Sequence, residues 1–313
     1  PGPFRNMDDA AGLLADAALA PLWRATAMET LGNSGDRRLA ETAAPLLAGD
    51  DPLLRLAAVR SAQALPAGQR YALLRPLVTD PVAAVRMEVA AGLAAVPLDR
   101  LRDDDRQALE TLFAEYLAIQ AGHANMPSVQ LQLGLFHSAR ADSAAAEAAY
   151  REALRLNPQL IPGHLNLADL LRASGRDEEA RAQLERARSI APESGEVLYA
   201  LGLSAIRAGD SEQALALLED AAERERDGTR HRYVYAVALH DLGDPRAAVR
   251  ALRSLNREVP GNPEVLLALA NYSAELGMVE AAAGYAGELA AVDPENTSWR
   301  RLAERFGAMA GGR

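Results

Sequence analysis

The sequence contains no cysteine and no lysine, and only 4% of its 313 residues are aromatic. Without cysteine, the chain can form no disulfide, no thiolate metal site, no cysteine nucleophile and no covalent c-type haem attachment. All 33 basic residues are arginine, which points to GC-rich, bacterial codon usage and suits fixed, hydrogen-bonded ion pairs. The shortage of aromatic and β-branched residues argues against a sheet protein. No apolar run approaches the roughly 18 residues of a membrane helix, so membrane insertion is not expected. Positive charge is outweighed, with a net charge of −10; such a surface repels nucleic acid and anionic lipid. The opening stretch PGPFRNMDDA has neither an initiator methionine nor a signal-peptide pattern, and reads as a fragment or a processed form.

What the chain does have is alanine and leucine, the strongest helix formers, arranged in two repeat systems. Downstream, Gly175, Gly209, Gly243 and Gly277 stand 34 residues apart, as do Ala146, Ala180, Ala214, Ala248 and Ala282. Pro158, Pro192, Pro260 and Pro294 keep the same period, with Arg226 in the one gap. The period predicts two amphipathic helices per unit. Glycine makes the left-handed turn between them, alanine lets them approach closely, and proline ends the second. Upstream the period is 31: Arg24, Arg55 and Arg86 fall in register, with Pro66 and Pro97. Asp51-Pro52 and Asp80-Pro81 are expected to open the second and third helices of that series, each with an N-cap acid and a helix-starting proline. The registered arginines are expected to form a ladder of Asp–Arg pairs. Between the two systems a helix is predicted from about Asp103 to Gln120, with Leu109, Leu112, Phe113, Tyr116 and Leu117 on one face.

Leu133, Gly134, Ala146, Tyr150, Ala153 and Pro158 fall on the positions of the tetratricopeptide pattern, so the downstream half resembles tetratricopeptide repeats, and the upstream half resembles HEAT repeats. The expected fold is therefore all-α: a right-handed α-solenoid of HEAT-like repeats over 1–102, a junction helix and linker over 103–126, five tetratricopeptide units over 127–295, and a capping helix and tail over 296–313. The five units are expected to start near 127, 161, 195, 229 and 263.

Catalytic patterns are missing from the sequence. There is no HExxH, glycine-rich phosphate loop, GxSxG or calcium loop. His123, His137, His164, His231 and His240 show no convergent spacing, and the acidic runs LRDDDR and RDEEAR read as helix starts. No catalytic, cofactor-binding or metal-binding residue is expected, and the chain reads as a non-enzyme. The functional surface is instead expected on the concave groove lined by the first helix of each unit. Its candidates are Leu131, Leu135, Leu165, Asp169, Arg172, Tyr199, Leu203, Arg207, Tyr233, Val237, His240, Asp241, Leu267, Asn271 and Glu275. They mix apolar bodies, aromatics and charges, a composition suited to a protein partner or an extended peptide.

The stretches DPLLRLAAVRSAQALP, LVTDPVAAVRMEVAAGLAAVP, EYLAIQAGHANMPSVQLQLGLFHSA and LIPGHLNLADLLRASGR are similar to the C-terminal half of bacterial tetratricopeptide-repeat proteins of the multihaem cytochrome c type, which carry doubled CxxCH motifs upstream. That resemblance implies an exported protein, periplasmic or extracellular, in which this region is a partner-docking arm for electron transfer. The arm would bind another protein or the protein's own N-terminal redox domain. With no cysteine here, no haem is held by this chain, and haem c would belong to an upstream region. The other expectation is a substrate-presenting arm of a transferase or hydrolase whose catalytic domain lies elsewhere.

Overall fold

The computed structural model describes residues 12, 14, 16, 18–32, 42–225 and 228–311; Arg226 of the proline grid lies outside them. Among the described residues there are sixteen α-helices and no strand, so the all-α helical-repeat class holds. The chain divides into two compact units, Pro1–Gly163 and His164–Arg313.

The first unit holds α1 (Pro21–Gly32), α2 (Pro52–Ser61), α3 (Ala67–Leu74), α4 (Ala83–Leu93), α5 (Asp103–Ala121), α6 (Pro127–Ala139) and α7 (Ser143–Leu156). One apolar cluster runs through it from Leu14 to Phe136, with Leu74, Val85, Val89, Leu93 and Leu109 almost wholly buried. Burial of each such side chain contributes about 1.5–3 kcal/mol, which makes this cluster the main source of the unit's stability. The apolar face of α5 meets α6. Phe136 stacks on Tyr116 at 4.8 Å between ring centroids and meets Phe113 edge-on at 5.4 Å.

The registered arginines do form a ladder, though not a uniform one. Arg55 donates to both carboxylate oxygens of Asp80 (2.8 and 3.1 Å) and to the Gly49 and Asp50 carbonyls. Arg86 donates to the Asp80 carbonyl at 2.7 Å and forks onto Glu115. Arg24, by contrast, donates to the Leu14 carbonyl. Asp51 caps α2 as expected, accepting from the Leu53 and Leu54 amides. Asp80 does not cap a helix at Pro81. Its carboxylate is committed to Arg55 and to the Val82 amide, and α4 begins two residues later, at Ala83. A buried guanidinium needs a fixed counter-charge more than a helix end needs a cap.

The second unit begins within α8 (Ile161–Ala173) and continues with α9 (Asp177–Ile190), α10 (Gly195–Ala208), α11 (Ser211–Arg224), α12 (Thr229–Asp241), α13 (Pro245–Glu258), α14 (Pro263–Glu275), α15 (Val279–Val292) and α16 (Thr297–Gly311). The helices come in pairs of 13–14 residues. Between the members of each pair stands a residue with left-handed backbone: Gly175, Gly209, Gly243 and Gly277, with φ between 73° and 106°. In the first unit the same register position, between α6 and α7, is Ala141, with φ 59°. Asp142, Asp210 and Asp244 follow these turns and cap the next helix through the amide three residues on. Ala146, Ala180, Ala214, Ala248 and Ala282 are all buried. The helices of a pair approach closely: a Cβ on Gly202 of α10 would come within 2.8 Å of the Leu218 side chain of α11. The last helix, α16, buries Phe306 against Ala270, Ala282 and Ala286, with Leu302 packed beside it, and leaves Met309 exposed, as expected of a terminal cap.

Candidate partner-docking face

In the second unit the first helix of each pair, α8, α10, α12 and α14, buries one side and leaves another open. In α10 the residues Val197, Leu198, Leu201, Gly202 and Ala205 are buried. Tyr199 and Leu203 are half-buried and Arg207 is exposed. The spacing i, i+4, i+8 sets these three on one stripe. In α12 the corresponding residues are Tyr233, Val237, His240 and Asp241, and in α14 they are Leu267, Asn271 and Glu275; all are half-buried or exposed. In α8, Asp169 and Arg172 are exposed, but Leu165 is only 8% exposed. Leu165 is thus more deeply buried than Tyr199, Tyr233 and Leu267 at the same register position.

Several of these side chains converge. His240 donates from Nε2 to the Glu275 carboxylate at 2.7 Å and from Nδ1 to Asp241 at 2.9 Å. Both acceptors are carboxylates, an arrangement that favours hydrogen on both ring nitrogens and so the charged imidazole. Burial opposes that charge, but the bonds to Asp241 and Glu275 outweigh it and hold the histidine above its ordinary pKa. The ring also stacks flat on Tyr272, with centroids 3.7 Å apart. Burial pushes the Tyr272 hydroxyl up to about 12. At the start of α12, Arg230 lies over the Tyr199 ring at 5.4 Å, and His231 packs against the same ring at 4.6 Å. Arg172 and Arg207 occupy the last turns of α8 and α10. Arg172 is 3.6 Å from Asp169, and Arg207 is 3.9 Å from Asp177.

Reading the sequence missed Tyr272, Arg230 and His231 as members of this face. Tyr272 occupies the register position of Ala238, where the grid gives no hint of an aromatic, and Arg230 joins only because its long side chain reaches the preceding pair. His164 lies elsewhere, buried and 2.9 Å from Gln183, which makes it a core residue. Among the described residues no group of three or more His, Asp or Glu side chains is placed to hold a metal ion, and no helix is long and apolar enough to cross a membrane.

Leu131 and Leu135 belong to the first unit. Leu131 is half-buried, while Leu135 is 48% exposed. Leu135 lines a concavity of about 600 Å³ with Leu56, Arg60, Met87, Tyr116 and Gln132. Here α2, α4 and α5 contribute as much as α6, a surface that reading only the 34-residue units overlooks.

Family models described as tetratricopeptide repeat match residues 138–203 and 239–306, and a second such model matches 199–263. The stretch 138–306 belongs to the tetratricopeptide-repeat family. Its first helices carry the face described above. Among solved structures, yeast Tom70 is similar in fold, with a TM-score of 0.64 at 16% identity over 92% of this chain and 60% of that one. YrrB, described as a tetratricopeptide-repeat protein with an unusual peptide-binding site, aligns at TM-score 0.46 and 18% identity over 60% of this chain and 95% of that one. The MamA protein aligns at TM-score 0.48 and 17% identity over 56% and 96%. Comparison with curated proteins finds no match. Tetratricopeptide-repeat proteins act as protein-interaction scaffolds that bind peptides or proteins, and they are typically not enzymes.

Proposed function

We propose that this chain is a non-enzymatic scaffold that docks a partner protein, through an extended segment, on the first-helix face of the second unit. One observation carries the reading: Tyr199, Leu203, Tyr233, Val237 and Leu267 lie on successive first helices and remain half-buried or exposed. Aromatic and aliphatic side chains left at such positions are the anchors on which interfaces concentrate their energy. We further infer, from the resemblance of the upstream and junction stretches, that the arm serves an exported bacterial multihaem electron-transfer protein, with HEAT-like pairs preceding the tetratricopeptide units. Any haem would be held by residues outside this cysteine-free sequence.

The test is affinity capture by the whole chain and by its Tyr199→Ala/Tyr233→Ala variant, from an extract of the organism that makes it. The variant is expected to lose the captured protein. Equal capture would remove this face from the account. A reduced-minus-oxidised spectrum of the captured material tests the electron-transfer context separately, since a partner without redox bands would contradict only that part.

A further inference from the structure

The stripe along α10 has an apolar middle and a cationic group at each end. Tyr199 and Leu203 form the middle. Arg230, reaching over the Tyr199 ring at 5.4 Å, marks one end, and Arg207 with Arg172 marks the other. From Tyr199 to Arg207 is eight residues of helix, about 12 Å, a distance that an extended peptide covers in about three to four residues.

These arginines differ from others in the same unit. Arg232 forks onto Glu258 with bonds of 2.7 and 2.8 Å, and Arg176 forks onto Glu179. Arg172 and Arg207 stay 3.6 and 3.9 Å from their nearest carboxylates, beyond hydrogen-bond distance. Those carboxylates are weak competitors for an incoming group. The side chains of Asp169 and Asp177 are 78% and 63% exposed, and exposed pairs of this kind contribute little. Asp177 also stands in the first turn of α9, where the helix N-terminus already favours its charge. Burial, and then the charge of Arg172, hold the Arg207 guanidinium below its ordinary pKa.

We propose that the α10 stripe takes an acidic–apolar peptide segment of a partner protein. An apolar side chain would rest on Tyr199 and Leu203, one carboxylate side chain would bind Arg230, and a second, three or four residues away, would bind between Arg172 and Arg207. This rests on the docking function proposed above and specifies which segment the face accepts. Two guanidiniums that converge without hydrogen-bonded partners offer forked donors to a carboxylate, and the half-buried aromatic between the two ends supplies the apolar anchor.

A random peptide library displayed on phage, selected on the immobilised full chain, tests this directly. The expected consensus has an apolar residue bracketed by Asp or Glu three or four positions apart. Selection on the Arg172→Glu/Arg207→Glu chain is expected to replace the acid at one of the two positions with Lys or Arg, a gain that an unfolded chain could not produce. The wild-type consensus peptide should bind that variant at least tenfold more weakly at low salt. An enriched consensus without acidic positions, or equal affinity of the peptide for both chains, would overturn the acidic–apolar assignment and leave peptide docking standing. Enrichment of no peptide at all would overturn both.

Discussion

Ala141 is the one described residue other than glycine with a positive φ, and at 59° it occupies the turn that Gly175, Gly209, Gly243 and Gly277 make in the other units. An L-residue in this region costs roughly 1–2 kcal/mol. Glycine would remove that cost and give back part of it as chain entropy. Ala141→Gly is expected to stabilise the first unit by about 0.5–1 kcal/mol, seen as a rise in its urea midpoint; a lower midpoint would contradict the turn assignment. His240 allows a second test at this scale. Its folded pKa lies above the ordinary value. The stability that its charged form contributes is therefore fully present below about pH 6.5 and is lost as pH rises through the raised folded pKa. The stability difference between the wild type and His240→Gln should shrink from pH 6 to pH 9. A difference that is constant across that window would show that the ring is not charged between Asp241 and Glu275.

At the scale of elements, the arginine ladder joins α2 to the loop before α4, and α4 to α5. Arg55 and Asp80 have side chains only 9% and 3% exposed. Removing one partner leaves the other charge buried, at a cost of about 3–5 kcal/mol. Asp80→Ala is therefore expected to destabilise the first unit by about 3 kcal/mol in urea unfolding followed by circular dichroism. A loss below about 1 kcal/mol would show the pair to be dispensable. Desolvation works against the Asp80 charge, but the bonds from Arg55 and the Val82 amide prevail and depress its pKa. Its contribution is present at neutral pH and disappears as pH falls through that depressed value.

Much of this element-level architecture is legible in the sequence, because period and steric role coincide: glycine where the backbone turns left-handed, alanine where helices touch, Asp where a helix starts. The start of α4 is not legible, since nothing local tells that Asp80 answers a guanidinium 25 residues away. The His240–Glu275 contact is hidden for the same reason, its partners being 35 positions apart in the chain. Leu165 shows the converse error: its register position is that of Tyr199, Tyr233 and Leu267, which stay half-buried or exposed, yet it is only 8% exposed.

At the scale of the whole molecule, the repeat grid explains why one face of the second unit has apolar and charged residues to spare. Each pair of helices closes its core with the second helix and with the buried side of the first. The remaining side of α8, α10, α12 and α14 is then held in place by the helices. A face fixed in this way loses little conformational freedom when a partner arrives, which favours binding. The first unit makes its own concavity, around Leu135 and Met87, from a different set of helices.

Docking on the first-helix face is checked by amide hydrogen exchange of the full chain with and without its captured partner. Added protection is expected on α10 and α12, centred on Tyr199 to Arg207 and on Tyr233 to Asp241, with α11 and α13 unchanged. Protection confined to α11, α13 and α15, with α10 and α12 exchanging as in the free chain, would contradict it.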